Sequence, residues 1–253
     1  MKKTVLITAG AKRLGRYIAE SLIKDNWSIA LHYNTSKIEA EETAHFLSNK
    51  GGNVSIFYAN FLNPEHIEKL IMQLSKKETC WCGLVNNAGL FKYDRGDNYQ
   101  YKILEEHIKV NFSMPSLLIK GLYNNLINNK KKKSVFNTVI NIIDAKIFGL
   151  NPDYYSYTLS KLSLYGLTKM AALSYAPLLR VNGIAPGITL PAPGQTEDEF
   201  KKSHRKNLLK HSSSVKEVLM ALNFLIKSPS ITGHISVLDG GSHLSPPKRD
   251  VAL

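Results

Sequence analysis

The sequence predicts a single α/β domain built on a doubly wound, Rossmann-like parallel sheet. Short apolar runs alternate with longer helical patterns along the 253 residues, and this alternation favours a parallel sheet with helices on both faces. The short runs are apolar at nearly every position, as in strands buried on both sides. No internal repeat or linker interrupts them. We therefore predict one domain over residues 1–244 and treat the proline-containing tail 245–253 as a candidate for disorder.

The first half of the chain has four strand patterns and three helical patterns. We predict strands at 4–7, 29–33, 54–58 and 83–85, with helices at 14–24, 37–50 and 64–76 between them. Gly51 and Gly52 end the second helix, and Pro64 stands in the first turn of the third, where proline is favoured.

The second half repeats this order. We predict a long helix over 100–128, strands at 139–143, 180–184 and 236–238, and helices at 155–175, 196–210 and 214–227. Parallel sheets of this kind bind ligands beyond the carboxyl ends of their strands. The residues that follow each strand are therefore the first candidates for a site.

The chain is basic, with a formal net charge of +13. Such a charge is compatible with nucleic acid, a membrane surface or an anionic ligand. The lysines are scattered, except for Lys130 to Lys133, which follow several asparagines and predict a solvated loop. No basic helix with interleaved aromatics is present, which argues against nucleic-acid binding, and no run of 18 apolar residues predicts a membrane span.

The two cysteines predict neither a metal site nor a disulfide framework. Cys80 and Cys82 are separated by one residue, too few for an ordinary zinc half-site, and no second pair exists. We therefore expect no metal and a protein of the reducing cytoplasm.

A glycine-containing turn follows the first strand. Gly10 and Gly15 lie between a strand and a helix, where backbone N–H groups can approach a phosphate, and Arg13 adds a cation. An NAD site usually has an acidic residue after the second strand, but residues 32–36 contain none. Arg13, Asn34 and Ser36 could instead hold a 2′-phosphate, so we predict NADPH rather than NADH.

A tyrosine and a lysine share one face of a predicted helix. Tyr157 and Lys161 are four residues apart, and a nearby ammonium stabilises a phenolate and lowers its pKa. Asp144 ends a predicted strand thirteen residues before Tyr157. Asn87 ends another strand, and Asn111 lies in the long helix.

This layout resembles the short-chain dehydrogenase/reductase family over nearly the whole chain. The family's first turn reads Thr-Gly-x-x-x-Gly-x-Gly, and here Ala9 and Arg13 replace its first two glycines. Arg13, the stretch from His32 to Ser36, and Asp144 in place of the usual serine resemble the pteridine reductase branch.

The resemblance implies roles for these residues. Tyr157 donates a proton, Lys161 binds the nicotinamide ribose and lowers the tyrosine pKa, and Asn111 helps hold a water for proton relay, with Asp144 beside them. The residues expected to contact the cofactor are Gly10, Arg13, Leu14, Gly15, His32, Tyr33, Asn34, Ser36, Asn60, Asn87, Ala88, Gly89, Tyr157, Lys161, Pro186, Gly187 and Thr189.

The aspartate points to the substrate. A carboxylate at position 144 would repel the charge that develops on an alkoxide, but it suits protonation of a ring nitrogen. Phe91 lies where the pteridine reductases place an aromatic that stacks on a flat pterin. We therefore predict NADPH-dependent reduction of a pterin, such as a dihydrobiopterin, dihydromonapterin or dihydrofolate, contacted by Arg13, Phe91, Asp144 and Tyr157.

Two alternatives remain open. A 3-oxoacyl-carrier-protein reductase, or another carbonyl-reducing short-chain dehydrogenase, would not suit Asp144, although the lysine-rich surface would suit an acidic carrier protein. A nucleotide-sensing or nucleic-acid-binding protein would suit the charge, but it would not need the Asn111, Tyr157 and Lys161 set. The resemblance also implies a homotetramer formed through the helices that contain Asn111 and Tyr157 and through the C-terminal region. Apolar residues there can serve this interface or the core: Leu162, Leu164, Leu167 and Met170.

Overall fold

The computed structural model describes residues 3–76, 80–129, 137–191 and 194–250. The predicted loop at Lys130 to Lys133 lies outside these ranges. The strands are β1 Thr4–Ile7, β2 Ser28–Tyr33, β3 Val54–Tyr58, β4 Trp81–Asn86, β5 Thr138–Ile142, β6 Arg180–Pro186 and β7 Ile235–Leu238. The helices are α1 Arg13–Lys24, α2 Lys37–Asn49, α3 Pro64–Leu74, α4 Tyr101–Ile108, α5 Met114–Asn128, α6 Tyr155–Ser174, α7 Glu197–His204 and α8 Val215–Lys227.

The strands form one parallel sheet in the order β3-β2-β1-β4-β5-β6-β7. The chain runs outward from β1 to β3 and then crosses back, so that β4 pairs with the other edge of β1. This confirms the predicted doubly wound fold. The crossover opens a crevice at the carboxyl ends of β1 and β4, where such sheets bind ligands.

Helices cover both faces of the sheet. On one side α1 packs against α2 and α8, and on the other α3 packs on α5 while α4 and α5 pack on α6. The central strands are buried along their whole lengths. Trp27 and Trp81 are the largest fully enclosed side chains of the core.

The long helix predicted over 100–128 runs from Tyr101 to Asn128, but it is not α-helical throughout. A π-helical segment, Lys109–Ser113, separates α4 from α5 and contains Asn111. A π turn adds one residue to the helical turn and is often found at functional sites. The helical prediction holds over this range, but periodicity did not show the π turn, which carries the contacts of Asn111 described below.

The second half also contains a shorter helix than its polar pattern predicts. α7 ends at His204 rather than near 210, and a capping box of Thr196 and Glu199 fixes its start. Arg180 at the start of β6 donates to four main-chain carbonyls around the end of α8, those of Leu225, Ile226, Ser228 and Ile231. These bonds tie α8 to the sheet.

The tail was a candidate for disorder over residues 245–253, of which the structure describes 245–250. Arg249 and Asp250 bond to Asp153, and Asp250 also pairs with Lys146. Within the described ranges, no helix is long and apolar enough to cross a membrane.

Candidate active site

The turn after β1 is tightly packed and partly left-handed. Ala9 and Arg13 have φ values of 49° and 52°, in the region that favours glycine. A Cβ on Gly15 would lie 2.2 Å from the carbonyl oxygen of Ala9 and 2.9 Å from Nδ2 of Asn87. Only glycine therefore fits at Gly15, where α1 begins close to the strand.

His32 fastens this turn from the neighbouring strand. Its Nδ1 accepts a hydrogen bond from the Ala9 amide at 3.0 Å, and its Nε2 donates to the Ala59 carbonyl at 2.9 Å. Burial lowers the pKa of His32 to about 4, so the ring is neutral and can accept one hydrogen bond and donate the other. The sequence places His32 among the cofactor contacts, whereas its ring nitrogens both bond to main chain.

Asn87 and Thr8 brace the turn from the other side. The side-chain amide of Asn87 donates to the carbonyls of Thr8 and Ala9 at 3.0 and 3.2 Å. The Thr8 hydroxyl accepts from the main-chain N–H groups of Asn87 and Ala88 at 2.9 and 2.8 Å. Leu14 packs against the main core. The helix N-terminus that follows has no side-chain cap and no acidic residue in its first turn, which favours an anion there.

The end of β2 carries the residues predicted to contact the adenosine half of a cofactor. Asn34 is exposed, Tyr33 is half-buried, and Ser36 is the N-cap of α2 with no side-chain bond to that helix. The amide oxygen of Asn60 accepts from the Leu62 amide at 2.9 Å, which leaves one lone pair for another donor.

Tyr157 and Asp144 are bonded directly. The tyrosine hydroxyl donates to Oδ2 of Asp144 at 2.6 Å, a short charge-assisted bond. The other carboxylate oxygen accepts from the Lys146 amide at 2.8 Å, so Asp144 caps the 3₁₀ turn that follows β5. This turn fixes the carboxylate against the face of α6.

The pKa values at this pair differ from the prediction made from spacing alone. Burial, followed by the negative charge of Asp144, raises the pKa of Tyr157 well above its usual value, rather than lowering it. Burial also raises the pKa of Asp144. The pair therefore holds its proton, and Lys161 does not counteract the aspartate, because the carboxylate bonds directly to the phenol.

Lys161 lies one turn further along α6. Its ammonium donates to the Ile142 carbonyl at 2.8 Å and stands 5.7 Å from the centre of the Tyr157 ring. Burial lowers its pKa to about 8. The ammonium is thus mostly charged at neutral pH and is half deprotonated at about pH 8.

Asn111 joins three segments beneath the site. Its amide nitrogen donates to the Leu90 carbonyl at 3.0 Å and to the Ser160 hydroxyl at 2.9 Å, and its oxygen accepts from the Leu90 amide at 2.7 Å. A Cβ on Gly89 would lie 3.7 Å from the Asn111 oxygen and 3.8 Å from Nζ of Lys161. Sequence reasoning missed Ser160, which sits between Tyr157 and Lys161 and has no motif of its own.

A cavity of about 340 Å³ opens above Tyr157 and Asp144. Arg13, Phe91, Asp144 and Tyr157 all line it, so the structure brings the four predicted substrate residues together. The Phe91 ring is half exposed, stacks on Tyr154 at 4.2 Å and meets Tyr157 edge-on at 4.7 Å. Such a volume suits a small planar ligand.

The end of β6 forms the opposite wall. Pro186 ends the strand, the Gly187 amide donates to the Leu238 carbonyl at 2.7 Å, and the Thr189 hydroxyl lies 2.6 Å from that of Ser213. A Cβ on Gly187 would approach the Asp239 Cα to 3.0 Å. The Arg13 guanidinium reaches across the cavity and donates to the Pro191 carbonyl at 2.8 Å.

Several cavity residues had no predicted role. His243 bonds through Nδ1 to the buried carboxylate of Asp239, and Lys146 pairs with Asp250. No motif in the sequence marked His243 as a residue of the cavity. No group of three His, Cys, Asp or Glu side chains that could hold a metal occurs in the described parts of the chain.

Comparison with known proteins agrees with this geometry. A family model described as enoyl-(acyl carrier protein) reductase matches residues 9–243. The chain belongs to the short-chain dehydrogenase/reductase family. The resemblance inferred from the motifs is thereby confirmed, and with it an oxidoreductase.

Relatives within the family differ in their named substrates. Pteridine reductase 1 of Leishmania tarentolae is 29% identical, with 95% of this chain and 96% of that protein covered. The 3-oxoacyl-[acyl-carrier-protein] reductase FabG of Staphylococcus epidermidis is 26% identical, over 96% and 100%. Among solved structures, the chain is similar to FolM alternative dihydrofolate reductase 1 from Brucella suis, crystallised in complex with NADP. The two sequences are 33% identical, the match covers 98% of this chain and 97% of that one, and the structures superimpose with a TM-score of 0.88.

Proposed function

We propose that this short-chain reductase uses NADPH to reduce a pterin or dihydropterin. The observation that carries the proposal is the 2.6 Å bond between Tyr157 and Asp144 in a cavity lined by Phe91 and Arg13. Two relatives point the same way, since one is named a pteridine reductase and another a dihydrofolate reductase in complex with NADP.

The residues around the β1 turn fit a dinucleotide phosphate. The uncapped start of α1 offers N–H groups to a pyrophosphate, and Gly15 permits close approach. The exposed Asn34, the N-cap Ser36 and Arg13 provide polar groups for a 2′-phosphate, and residues 32–36 contain no acidic side chain that would repel it. When bound, NADPH supplies the hydride.

The protein's own residues manage the proton. The Asp144 carboxylate holds the Tyr157 hydroxyl in place, and burial favours the protonated form of both groups. Tyr157 can pass its proton to a ring nitrogen, and the pair then regains one from solvent. The family resemblance assigns Asn111 a place in this proton relay. Lys161 orients the nicotinamide ribose, and Phe91 stacks on the flat ring.

A 3-oxoacyl-carrier-protein reductase is the second candidate, because relatives with that name match 96% of the chain. A ketone reduced to an alcohol develops negative charge on oxygen, and Asp144 would oppose that charge. The carboxylate is the feature that separates the two activities.

One assay decides between them. Purified protein is given NADPH with dihydrobiopterin, dihydrofolate or an acetoacetyl thioester, and loss of NADPH absorbance is followed. We expect turnover of a dihydropterin and little of the thioester, and Asp144→Ser should lower pterin turnover by about 100-fold while raising ketone turnover. Ready reduction of the thioester by the native protein, with dihydropterins untouched, would overturn the proposal.

We also propose a homotetramer in the cytoplasm, with a small-molecule substrate and no nucleic-acid partner. Met170 and Leu173 on α6 are largely exposed and suit an interface, whereas Leu164 is buried and Leu162 and Leu167 pack against the core. Both cysteines are free thiols, which suits a reducing compartment. Light scattering on the purified protein measures the assembly.

A further inference from the structure

The end of the described chain lies against the cavity. Pro247 and Asp250 line it together with the Asp144–Tyr157 pair. A Cβ on Gly149 would lie only 2.9 Å from the Pro246 side chain, so the tail packs closely on the loop after β5. We call residues 245–250 the strap.

A buried carboxylate anchors the strap. Asp153 is fully enclosed, and the Arg249 guanidinium binds its two oxygens at 2.8 and 2.7 Å. The Asp250 amide donates to the same carboxylate at 2.8 Å, and the Tyr93 hydroxyl at 3.1 Å. We call Asp153 with Arg249 and the Asp250 amide the latch.

A second ion pair connects the strap to the catalytic pair. Asp250 accepts from the Lys146 ammonium at 2.8 Å, which also donates to Asn151 at 2.5 Å. The backbone amide of Lys146 is the donor that holds Asp144. One residue therefore contacts both the strap and the carboxylate that bonds to Tyr157.

The latch has more contacts than an ordinary surface ion pair. Exposed pairs contribute little, but here Arg249 binds both carboxylate oxygens and the Asp250 amide adds a third donor, although the Arg249 side chain is 55% exposed. Hydrogen bonding to Arg249 holds the pKa of Asp153 far below its usual value. The carboxylate is therefore charged, and the latch closed, throughout the neutral range.

We propose that the strap is a substrate-selecting wall of the cavity, held in place by the latch. The proposal rests on the proposed function and extends it. A fixed wall limits the length of substrate that fits and spares a compact dihydropterin the cost of ordering the tail when it binds. A released wall opens the cavity toward longer substrates.

Kinetics of an Arg249→Gln variant test this. We expect the KM for dihydrobiopterin to rise about tenfold while the KM for NADPH stays unchanged, because the bonds that anchor the strap go to Lys146 and Asp153 rather than to the β1 turn. The ratio of kcat/KM for dihydrofolate to that for dihydrobiopterin should rise at least about fivefold. Hydrogen exchange of the C-terminal peptide should become faster as the strap is released.

Lys248→Gln is the matched control, since it removes the same charge from an exposed neighbouring residue. It should behave as the native protein. A second variant ends the chain after Ser245 and carries Asp153→Asn, which avoids a bare buried charge; it should show the same shift in substrate preference.

The proposal is wrong if the two-substrate ratio stays within twofold of native in Arg249→Gln, whether or not exchange accelerates. If the truncated chain fails to bind NADPH, Arg249→Gln alone decides. Failure of the proposed function looks different, because the native protein itself would then turn over neither dihydropterin.

Discussion

At the residue scale, three titratable side chains meet in one enclosed place. Tyr157 and Lys161 are buried and Asp144 is half-buried. Burial raises the pKa of Tyr157 and Asp144 and lowers that of Lys161, so it favours the neutral form of each group. Spacing on a helix shows that Tyr157 and Lys161 share a face, but it does not show which third group reaches the phenol. The Asp144 carboxylate does, and it reverses the expected direction of the tyrosine pKa.

The Lys161 pKa of about 8 predicts an alkaline limit to activity. Under the proposed function the charged form of Lys161 orients the ribose, so kcat/KM should fall as the pH rises through about 8. A pH profile with saturating NADPH measures this limb. Lys161→Arg stays charged, and its residual activity should show no decline near pH 8. If the alkaline decline persists unchanged in that variant, a group other than Lys161 causes it.

At the scale of elements, the β1 turn is stabilised by groups far away in the sequence. Ala9 stands in a left-handed conformation that costs an alanine about 1–2 kcal/mol. Bonds from His32 on β2 and Asn87 after β4 offset this cost. A glycine-containing pattern predicted the turn, but the roles of His32 and Asn87 as braces follow only from strand order.

Neutral His32 should make stability sensitive to mild acid. Its folded pKa of about 4 lies below the ordinary 6.5, so the unfolded chain binds more protons between these values. The free energy of unfolding should therefore fall as the pH drops from 6.5 to about 4, by about 3 kcal/mol in total.

Urea denaturation across this pH range measures the loss for the native protein and for His32→Gln, which cannot take up the proton. His45→Gln, at an exposed position on α2, is the control and should keep the native acid dependence. If His32→Gln retains the full acid dependence, another group is responsible for it.

At the scale of the whole molecule, the strand order gathers the site from every part of the chain. Residues after β1, β4, β5 and β6 meet at one edge of the sheet because all seven strands are parallel. The tail completes the cavity from the far end of the sequence. A ligand that spans this edge should therefore stabilise the entire domain.

Cofactor binding should raise the melting temperature, and more for NADPH than for NADH. At 100 times its dissociation constant a ligand adds about 2.7 kcal/mol, or roughly 5–10 °C for a domain of this size. NADH at the same concentration should give a smaller shift, since it lacks the 2′-phosphate. Differential scanning fluorimetry measures both shifts, and Arg13→Gln should narrow the difference. Equal shifts in the native protein would contradict the NADPH preference.

The sequence by itself determined the fold class, the family and the four predicted substrate residues that the cavity brings together. Periodicity, turn glycines and the Tyr157–Lys161 spacing are local features, and local features are written directly in the order of residues. The tertiary structure alone decided which groups touch. The π turn at Asn111, the proton held between Tyr157 and Asp144, and the latch between Asp153 and Arg249 depend on contacts between distant segments. Burial and direct contact set their energies, and neither is encoded in spacing along the chain.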